Sequence, residues 1–267
     1  MTENVSWNGG NRITEEFNIT PLDEFTALPE VPAGTAVISL PYIAYSDNEA
    51  AEVKSYIESG GTLIIMDDFG RANKLLEYLG VSARFNGHTV MDPLFCYRSQ
   101  VMPVVSDLDA SLKESGINSL TLNHPSLLEN TAGWKVLARS SVTSYCDENE
   151  NGTWDKGEAT GPFVIAAEST MGKGKIVLIS DPSILINSML DKSDNRKLVG
   201  YLAGRYGESG TVFLDRVHLE KSPLDAARKS LISTRQTVSH PYILTIIVLI
   251  LFVIITGYIY KRGLIIG

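Results

Sequence analysis

The chain lacks the short motifs that usually identify nucleophilic hydrolases and nucleotide-binding enzymes in a sequence. It contains no G-x-S-x-G or G-x-C-x-G turn, no G-x-x-x-x-G-K-[ST] loop and no G-x-G-x-x-G loop. The segment 171–175, MGKGK, lacks the strand–loop–helix context of a phosphate loop, and a hairpin turn is the better interpretation. The sequence therefore offers no obvious nucleophile and no phosphate-binding loop.

Cysteine and basic residues are also scarce. Cys96 and Cys146 are too few for a disulfide scaffold and lack metal-site spacing. They are either two isolated buried thiols or, if the domain lies outside the cell, one bridge. Lys and Arg number 23 against 31 Asp and Glu, a formal net charge of −8. Because a nucleic-acid-binding protein would present a basic face, nucleic acid is not expected as a partner.

The first residues, MTENVSWNGGNRITEEF, show neither the basic nor the apolar region of a signal peptide. Either the natural start is missing, or a C-terminal helix is the only insertion signal. The C-terminal helix is predicted from residues 242–260, YILTIIVLILFVIITGYIY, which contain no charged residue. A membrane core about 30 Å thick needs roughly 20 apolar residues in a helix. A long buried core helix is the alternative.

Tyrosines near both ends of this run and Lys261-Arg262 after it are typical of a membrane span. We therefore predict a single-pass membrane protein, anchored in the lipid bilayer. Its folded domain would cover residues 1–221, a juxtamembrane linker 222–241, the transmembrane helix 242–260 and a short basic tail 261–267. Three basic residues precede the helix within 228–235 and two follow it, so charge does not decide the orientation.

Short apolar strands alternate with helices in the first part of the domain. Residues 35–41 are predicted to form a buried strand, and a capping box from Ser46 to Glu49 opens a helix that ends at Gly60-Gly61. A strand at 62–66, a turn, and a helix ending at Gly80 follow. This pattern indicates an α/β fold with a parallel sheet covered on both faces. Further strands are predicted at 119–123, 134–145, 163–168, 175–181 and 211–215, and a helix is predicted from Asp181 to about Tyr206.

Residues 147–158, DENENGTWDKGE, match an EF-hand calcium loop position by position. The expected Ca²⁺ ligands are the side chains of Asp147, Asn149, Asn151, Asp155 and Glu158 and the backbone carbonyl of Thr153. The flanking sequences favour strands rather than helices, so we expect one calcium loop that joins two strands. The alternative is a polar surface turn without an ion. A lone loop would bind weakly, at about 10⁻⁴–10⁻³ M, and would fill only outside the cell, which favours an external domain.

Acidic residues and one histidine follow several predicted strands, at the edge where open α/β sheets bind ligands. They are Asp67, Asp68, Asp181, Asp215 and His218. They are candidate acid–base or metal-binding residues. The alternative is structural, because Asp68 and Asp181 are well placed as helix N-caps and Asp215 can order a turn. Asn187 and Asn195 could face the same edge, although polar residues on helices are usually solvated.

Five short segments, in this order, resemble an uncharacterised prokaryotic family, domain-of-unknown-function family 4350. They are Trp7-Asn8-Gly9, residues 59–70 (SGGTLIIMDDFG), Ser144-Tyr145-Cys146-Asp147, residues 179–183 (ISDPS) and residues 214–218 (LDRVH). The resemblance covers about residues 5–225. It implies membrane association and a flavodoxin-like α/β domain similar to class I glutamine amidotransferases.

The nucleophile of the amidotransferases does not carry over, because neither Cys96 nor Cys146 lies in a glycine-flanked turn after a strand. The resemblance also implies envelope partners, since genes of relatives often lie beside genes for MoxR-type ATPases. Two functions stay open: a non-catalytic, membrane-tethered binding or assembly module in the cell envelope, and an envelope hydrolase that uses the strand-end acids, with or without a metal.

Overall fold

The computed structural model describes Asn4, residues 6–24, Leu28, residues 32–207 and 211–219, Leu231 and residues 241–262, without the side chains at 241, 243, 244, 246 and 247. Clustering of contacts divides the chain into two units, Met1–Glu220 and Lys221–Gly267. Apart from Leu231 and Pro241, the predicted juxtamembrane linker 222–241 lies outside the described residues.

Helices and strands alternate through the first unit. The helices are α1 (Asn11–Glu16), α2 (Asp47–Glu58), α3 (Asn73–Leu79), α4 (Ala110–Glu114), α5 (Asn187–Leu190) and α6 (Asn195–Tyr206). The strands are β1 (Ile19–Leu22), β2 (Thr35–Ser39), β3 (Thr62–Met66), β4 (Arg84–Phe85), β5 (Thr89–Met91), β6 (Val104–Val105), β7 (Asp107–Leu108), β8 (Leu120–Thr121), β9 (Leu128–Glu129), β10 (Lys135–Arg139), β11 (Tyr145–Asp147), β12 (Val164–Met171), β13 (Gly174–Ile179) and β14 (Thr211–Asp215). The second unit contains α7 (Pro241–Lys261).

One mixed sheet organises the first unit, in the order β1-β14-β2-β3-β13-β12-β10-β7. The first five strands in this order, β1, β14, β2, β3 and β13, run parallel to one another. The remaining three, β12, β10 and β7, each run antiparallel to the strand before. β5 and β11 form a separate two-stranded ladder. The predicted α/β class and the predicted β12–β13 hairpin are therefore confirmed, whereas the sheet predicted to be parallel is mixed, because β12, β10 and β7 run antiparallel to their neighbours.

The central strands are buried on both faces, because the side chains that point to either face of the sheet are apolar. Ile38 and Ile64 belong to one core cluster, which also includes side chains of α1 and α6. Val37, Leu63 and Ile65 belong to the other, which includes side chains of α2 and α3. Successive side chains of a strand point to opposite faces, so the sheet lies between two helical layers, as the sequence predicts.

Local signals place the first helices correctly. The side chain of Ser46 accepts a hydrogen bond from the Glu49 amide, and the Glu49 carboxylate accepts one from the Ser46 amide, which forms the predicted capping box. Helix α3 ends at Gly80, which has the left-handed φ of 75° that favours glycine at this position.

The predicted helix from Asp181 to Tyr206 is wrong, because this segment contains three short pieces. A 3₁₀ turn (Pro182–Leu185) is followed by Ile186 in an extended conformation, then by α5 and α6. The breaks are stabilised by Asn187 and Asn195, whose side chains are buried rather than solvated. The Asn187 side chain donates to the backbone carbonyls of Asn4 and Ser6. The Asn195 side chain accepts from the amide of Thr121 and donates to its carbonyl.

The single strand predicted at 134–145 is also wrong. β10 ends at Arg139 and a serine-rich turn follows, so β11 belongs to the ladder with β5 instead of the main sheet. The Ser144 hydroxyl donates to the Ser141 carbonyl and contacts the Ser140 hydroxyl, which stabilises the turn. Such side-chain bonds to the local backbone compete with a sheet ladder. The strand predicted at 119–123 is reduced to the two residues of β8.

Within the fully described part of the chain, no helix is both long and apolar enough to cross a membrane. Several of the side chains at the start of α7 fall outside that part. The transmembrane helix at 242–260 stays a prediction.

Candidate functional site

The candidate acids lie along one edge of the sheet. Asp67 follows β3, Asp181 follows β13 and Asp215 ends β14, and these parallel strands have their carboxyl ends at the same edge. All three side chains are buried. Their bonding partners decide between a catalytic and a structural role.

Asp215 forms the centre of a buried hydrogen-bond network. Its Oδ2 accepts from the hydroxyls of Ser39 at 2.8 Å and Tyr45 at 2.7 Å, and lies 2.8 Å from Nδ1 of His218. Its Oδ1 accepts from the amides of Val217 and His218. The His218 ring also stacks on Tyr45, with centroids 3.6 Å apart. Both carboxylate oxygens are thus engaged with neighbouring protein groups, and Asp215 fixes the turn after β14.

Asp67 and Asp181 each accept backbone amides at the start of a turn. Asp67 accepts from Phe69 and Ala72, and Asp181 accepts from Ser183 and from Asn123 on a neighbouring loop. Asp181 is therefore an N-cap, as predicted. The prediction for Asp68 is wrong, since the N-cap of α3 is Ala72 and no side chain caps this helix. Asp67 is the first residue after β3, so its carboxylate lies at the start of the turn and accepts the amides of Phe69 and Ala72.

Burial perturbs the acids on this part of the edge. It raises the pKa of Asp68 to about 6 and, together with the nearby charge of Asp68, the pKa of Asp181 to about 7. Burial likewise raises the pKa of Tyr42 to about 12. A cavity of about 10 Å³ lies between Tyr42, Asp67, Asp68 and Arg71. This volume is about that of one water-sized probe, so the described cavity beside Asp67 and Asp68 is too small for a substrate.

The candidate residues form two separate groups rather than one centre. Asp215 and His218 pair around Tyr45, whereas Asp67, Asp68 and Asp181 interact electrostatically around Tyr42. Among the described residues, no three His, Cys, Asp or Glu side chains are arranged to hold a metal ion. The geometry favours the structural interpretation of these residues.

These pKa values predict that the domain becomes more stable as the pH falls from 8 to 6. The folded pKa values of Asp68 and Asp181 lie above the unfolded value of about 3.9, so the native state binds more protons in this window and gains stability on acidification. Asp68→Asn should raise the free energy of unfolding at pH 8 by about 1 kcal/mol, after allowance for screening at this partly exposed position. It should also weaken the pH dependence of stability.

The comparison of Asp68→Asn with the parent chain cancels the titrating groups that Asp68 does not influence, whereas the pKa of Asp181 should also fall, because the charge of Asp68 raises it. Unfolding of the full chain in detergent, followed by tryptophan fluorescence at pH 8, 7 and 6, measures the difference. Parallel pH profiles for the two proteins would contradict the assigned pKa shift.

The structure disfavours Cys146 as a nucleophile. Both thiols are free rather than bridged, with Cys146 buried and Cys96 half-buried. Burial raises the pKa of Cys146 to about 12, and the thiolate is the nucleophilic form of cysteine. This agrees with the absence of an amidotransferase-type turn in the sequence.

The calcium-type loop folds as a compact turn between β11 and β12. Asp147 is buried, and its two carboxylate oxygens accept the amides of Asn151 and Gly152 at 3.1 and 2.9 Å. Gly152 has a φ of +77°, which a side chain would disfavour and which allows the sharp turn at position six. Glu158 folds back to accept the amides of Glu148 and Asp155.

Three of the five predicted ligand side chains, those of Asn149, Asn151 and Asp155, contact one another in this loop. The amide groups of Asn149 and Asn151 both donate to Oδ2 of Asp155, at 2.8 and 2.6 Å. These bonds lower the pKa of Asp155. Rotation of either side-chain amide by half a turn would present its oxygen instead. The donor set of carboxylate and amide oxygens has the chemistry that Ca²⁺ prefers.

A groove that the sequence did not predict lies against the same loop. Its volume is about 590 Å³, and three chain segments contribute its lining: Leu94 and Gln100, Val142 and Tyr145, and Gly152 and Trp154. Leu94, Val142 and Trp154 are exposed. The volume falls in the range of ordinary ligand sites. The exposed Trp154 inside a polar loop is the one sequence signal that could have indicated this surface.

Comparison with solved structures supports the α/β fold. The mmIFT52 N-terminal domain matches with a TM-score of 0.59 at 15% identity, over 78% of this chain and 92% of that domain. A β-galactosidase from Bacillus circulans sp. alkalophilus matches with a TM-score of 0.40 at 12% identity, over 66% of this chain and 22% of the enzyme. At 15% identity, the likeness to the mmIFT52 domain concerns the fold alone.

No curated protein matches the chain significantly. A family model described as "Domain of unknown function (DUF4350)" matches residues 11–203. This range includes most of the main sheet, the calcium-type loop and the groove. The chain belongs to the DUF4350 family.

Proposed function

We propose that this chain is a single-pass membrane protein whose N-terminal unit is a non-catalytic binding or assembly domain outside the cytoplasm. The fold proposed for this unit is flavodoxin-like and similar to class I glutamine amidotransferases. Its expected partners are other envelope proteins, as the MoxR-type ATPase neighbourhood of relatives suggests.

The observation that carries this proposal is the contrast between the sheet edge and the groove. At the edge, the carboxylates of Asp67, Asp181 and Asp215 accept hydrogen bonds from protein donors, and the described cavity beside Asp67 has a volume of only about 10 Å³. At the groove, a cavity of about 590 Å³ is lined by apolar and neutral polar groups without a carboxylate, amine, guanidinium or imidazole. A surface of this kind suits binding rather than acid–base chemistry.

The same contrast weighs against an envelope hydrolase. A general acid or base must lie within hydrogen-bond reach of its substrate, and the raised pKa values of Asp68 and Asp181 follow mainly from burial. Perturbed pKa values also occur in structural networks, and Asp181 belongs to such a network through its bonds to Asn123 and Ser183.

Support for the anchor comes from the uncharged sequence of residues 242–260 and from helix α7, which exposes large apolar side chains such as Leu249, Phe252 and Ile254. Outside a membrane, so much exposed apolar surface would be costly. Support for an external domain comes from the calcium-type loop, whose expected weak affinity suits external Ca²⁺.

The test is carbonate extraction combined with protease treatment of intact cells. Full-length protein should stay in the membrane pellet, a chain ending at Ser239 should be released, and protease added outside should remove the N-terminal unit and leave a short stub. Release of the full chain by carbonate would refute the anchor. Protection in intact cells, with cleavage only after lysis, would reverse the orientation.

A further inference from the structure

A prominent part of the exposed apolar surface of the first unit surrounds the groove. Leu94 is 69% exposed, Val142 71% and Trp154 54%, and Phe95 and Tyr97 extend the same loop. Soluble domains rarely leave large apolar residues clustered in this way unless the surface binds something. We name the surface formed by Leu94, Gln100, Val142, Tyr145, Gly152 and Trp154 the loop groove.

The loop groove is held in shape by a buried carboxylate. Asp92 is 1% exposed, and its Oδ1 accepts from the amides of Leu94 and Phe95 and from the hydroxyl of Thr143. Its Oδ2 accepts from the hydroxyl of Ser141. One side chain therefore fixes two walls relative to each other. Such preorganisation reduces the entropy that binding would otherwise cost.

The third wall is joined to the others through the carbonyl of Gly152. The Gln100 side-chain amide donates to this oxygen, and the Tyr145 hydroxyl lies 3.4 Å from it and 3.2 Å from Oε1 of Gln100. The calcium-type loop is thereby attached to the floor of the groove. Three segments that are far apart in the sequence form one continuous surface.

The charges beside the loop groove indicate its occupant. Residues 147–158 contain five acids and one lysine, and Glu148, Glu150 and Asp155 are exposed, whereas the groove itself is apolar and uncharged. A complementary ligand places a bulky apolar group in the groove and positive charge next to it. Anionic lipids, nucleotides and acidic peptides would be repelled by the net negative charge of residues 147–158.

We propose that the loop groove binds a segment of a partner protein that inserts a large apolar side chain and carries Lys or Arg beside it. The apolar side chain contacts Leu94, Val142 and Trp154, and the basic residues pair with the exposed acids of the 147–158 loop. This inference rests on the proposed binding function and assigns it a surface and a partner chemistry.

The test uses the full chain in neutral detergent and a labelled decapeptide with a central Phe-Leu pair between two pairs of lysines. Two matched peptides replace either the Phe-Leu pair with serines or the lysines with glutamates. We expect the parent peptide to bind at least tenfold more tightly than either control. Equal binding of all three peptides, or no binding of the parent peptide, would overturn the inference.

Variants locate the binding surface. Trp154→Ala and, independently, Leu94→Ser should each weaken the parent peptide about tenfold, while Trp7→Ala, which removes a tryptophan 71% exposed elsewhere, should leave it unchanged. Both groove residues are exposed, so folding should survive, and circular dichroism checks it. Equal effects of Trp154→Ala and Trp7→Ala would overturn the assignment of the surface.

A bilayer occupant is distinguished with the full chain reconstituted into vesicles of brominated phosphatidylcholine. The difference in fluorescence between the parent chain and Trp154→Phe isolates the emission of Trp154. We expect brominated lipids to leave this emission unquenched, since the proposed occupant of the groove is a protein rather than the bilayer. Quenching would overturn the proposal in favour of a membrane surface. Failure of the peptide to bind while the chain remains carbonate-resistant and protease-accessible refutes this inference and leaves the proposed membrane topology intact.

Discussion

Replacing Asp215 with alanine is expected to destabilise the N-terminal unit by about 3–5 kcal/mol, since a buried charged partner is lost from a bonded network. The hydroxyls of Ser39 and Tyr45 and the ring of His218 would lose their shared acceptor, Oδ2 of Asp215. Ser39 and Tyr45 would keep their mutual contact at 2.6 Å, but a buried donor left without a partner costs about 1–3 kcal/mol. Because domains are stable by only about 5–15 kcal/mol, the variant should lose a large fraction of its stability.

The matched control is Asp23→Ala, near the end of the neighbouring strand β1. Asp23 is 70% exposed and lies 3.3 Å from Nε of Arg216, so its loss should cost less than about 1 kcal/mol. Urea unfolding of the full chain in detergent, followed by fluorescence, compares the two. An Asp215→Ala protein as stable as the control would show that the network is not structural, and would revive a chemical role for Asp215 and His218.

The elements predicted correctly are those whose signals are local. β2 and β3 are short and apolar in both alternating sets, and α2 carries both halves of a capping box within four residues. Such features fix an element whatever surrounds it. The same reasoning placed Asp67, Asp181 and Asp215 at one sheet edge, because each follows a clearly predicted strand.

The errors occur where distant groups decide the local structure. The helix predicted after Asp181 is broken because Asn187 and Asn195 bond to backbone groups at 4–6 and at 121. The strand predicted at 134–145 is interrupted at Ser141, whose hydroxyl donates to Asp92. The loop groove depends on the contact of Ser141 with Asp92 and on that of Gln100 with Gly152. Neither contact follows from the hydrophobic periodicity of the sequence.

The second large effect concerns Ca²⁺. Binding to the native state alone stabilises it by RT ln(1 + [L]/Kd), about 1.4 kcal/mol at ten times Kd. With a Kd of about 10⁻³ M, 10 mM Ca²⁺ should raise the melting temperature of the first unit by about 3–5 °C. Mg²⁺ should do less, because it requires a smaller and stricter octahedral site. Trp154 lies within the loop and is exposed, so its fluorescence should report the same titration.

The variant that isolates the site is Asp155→Asn. In the structure Asp155 accepts side-chain amides of Asn149 and Asn151 only within the exposed loop, whereas Asp147 also orders the buried start of the turn through Gly152. Asp155→Asn should therefore remove most of the Ca²⁺ response without harming the fold.

Glu148→Gln is the matched control, because it removes the same charge at an exposed position that is not a ligand in the calcium pattern. If screening of the acidic loop were the cause of the stabilisation, both variants would lose it equally, and Mg²⁺ would be as effective as Ca²⁺. Selective loss with Asp155→Asn requires coordination at defined positions. A calorimetric titration at millimolar Ca²⁺ without heat, together with an unchanged melting temperature, would show that residues 147–158 form only a polar turn and would remove the main argument for an external domain.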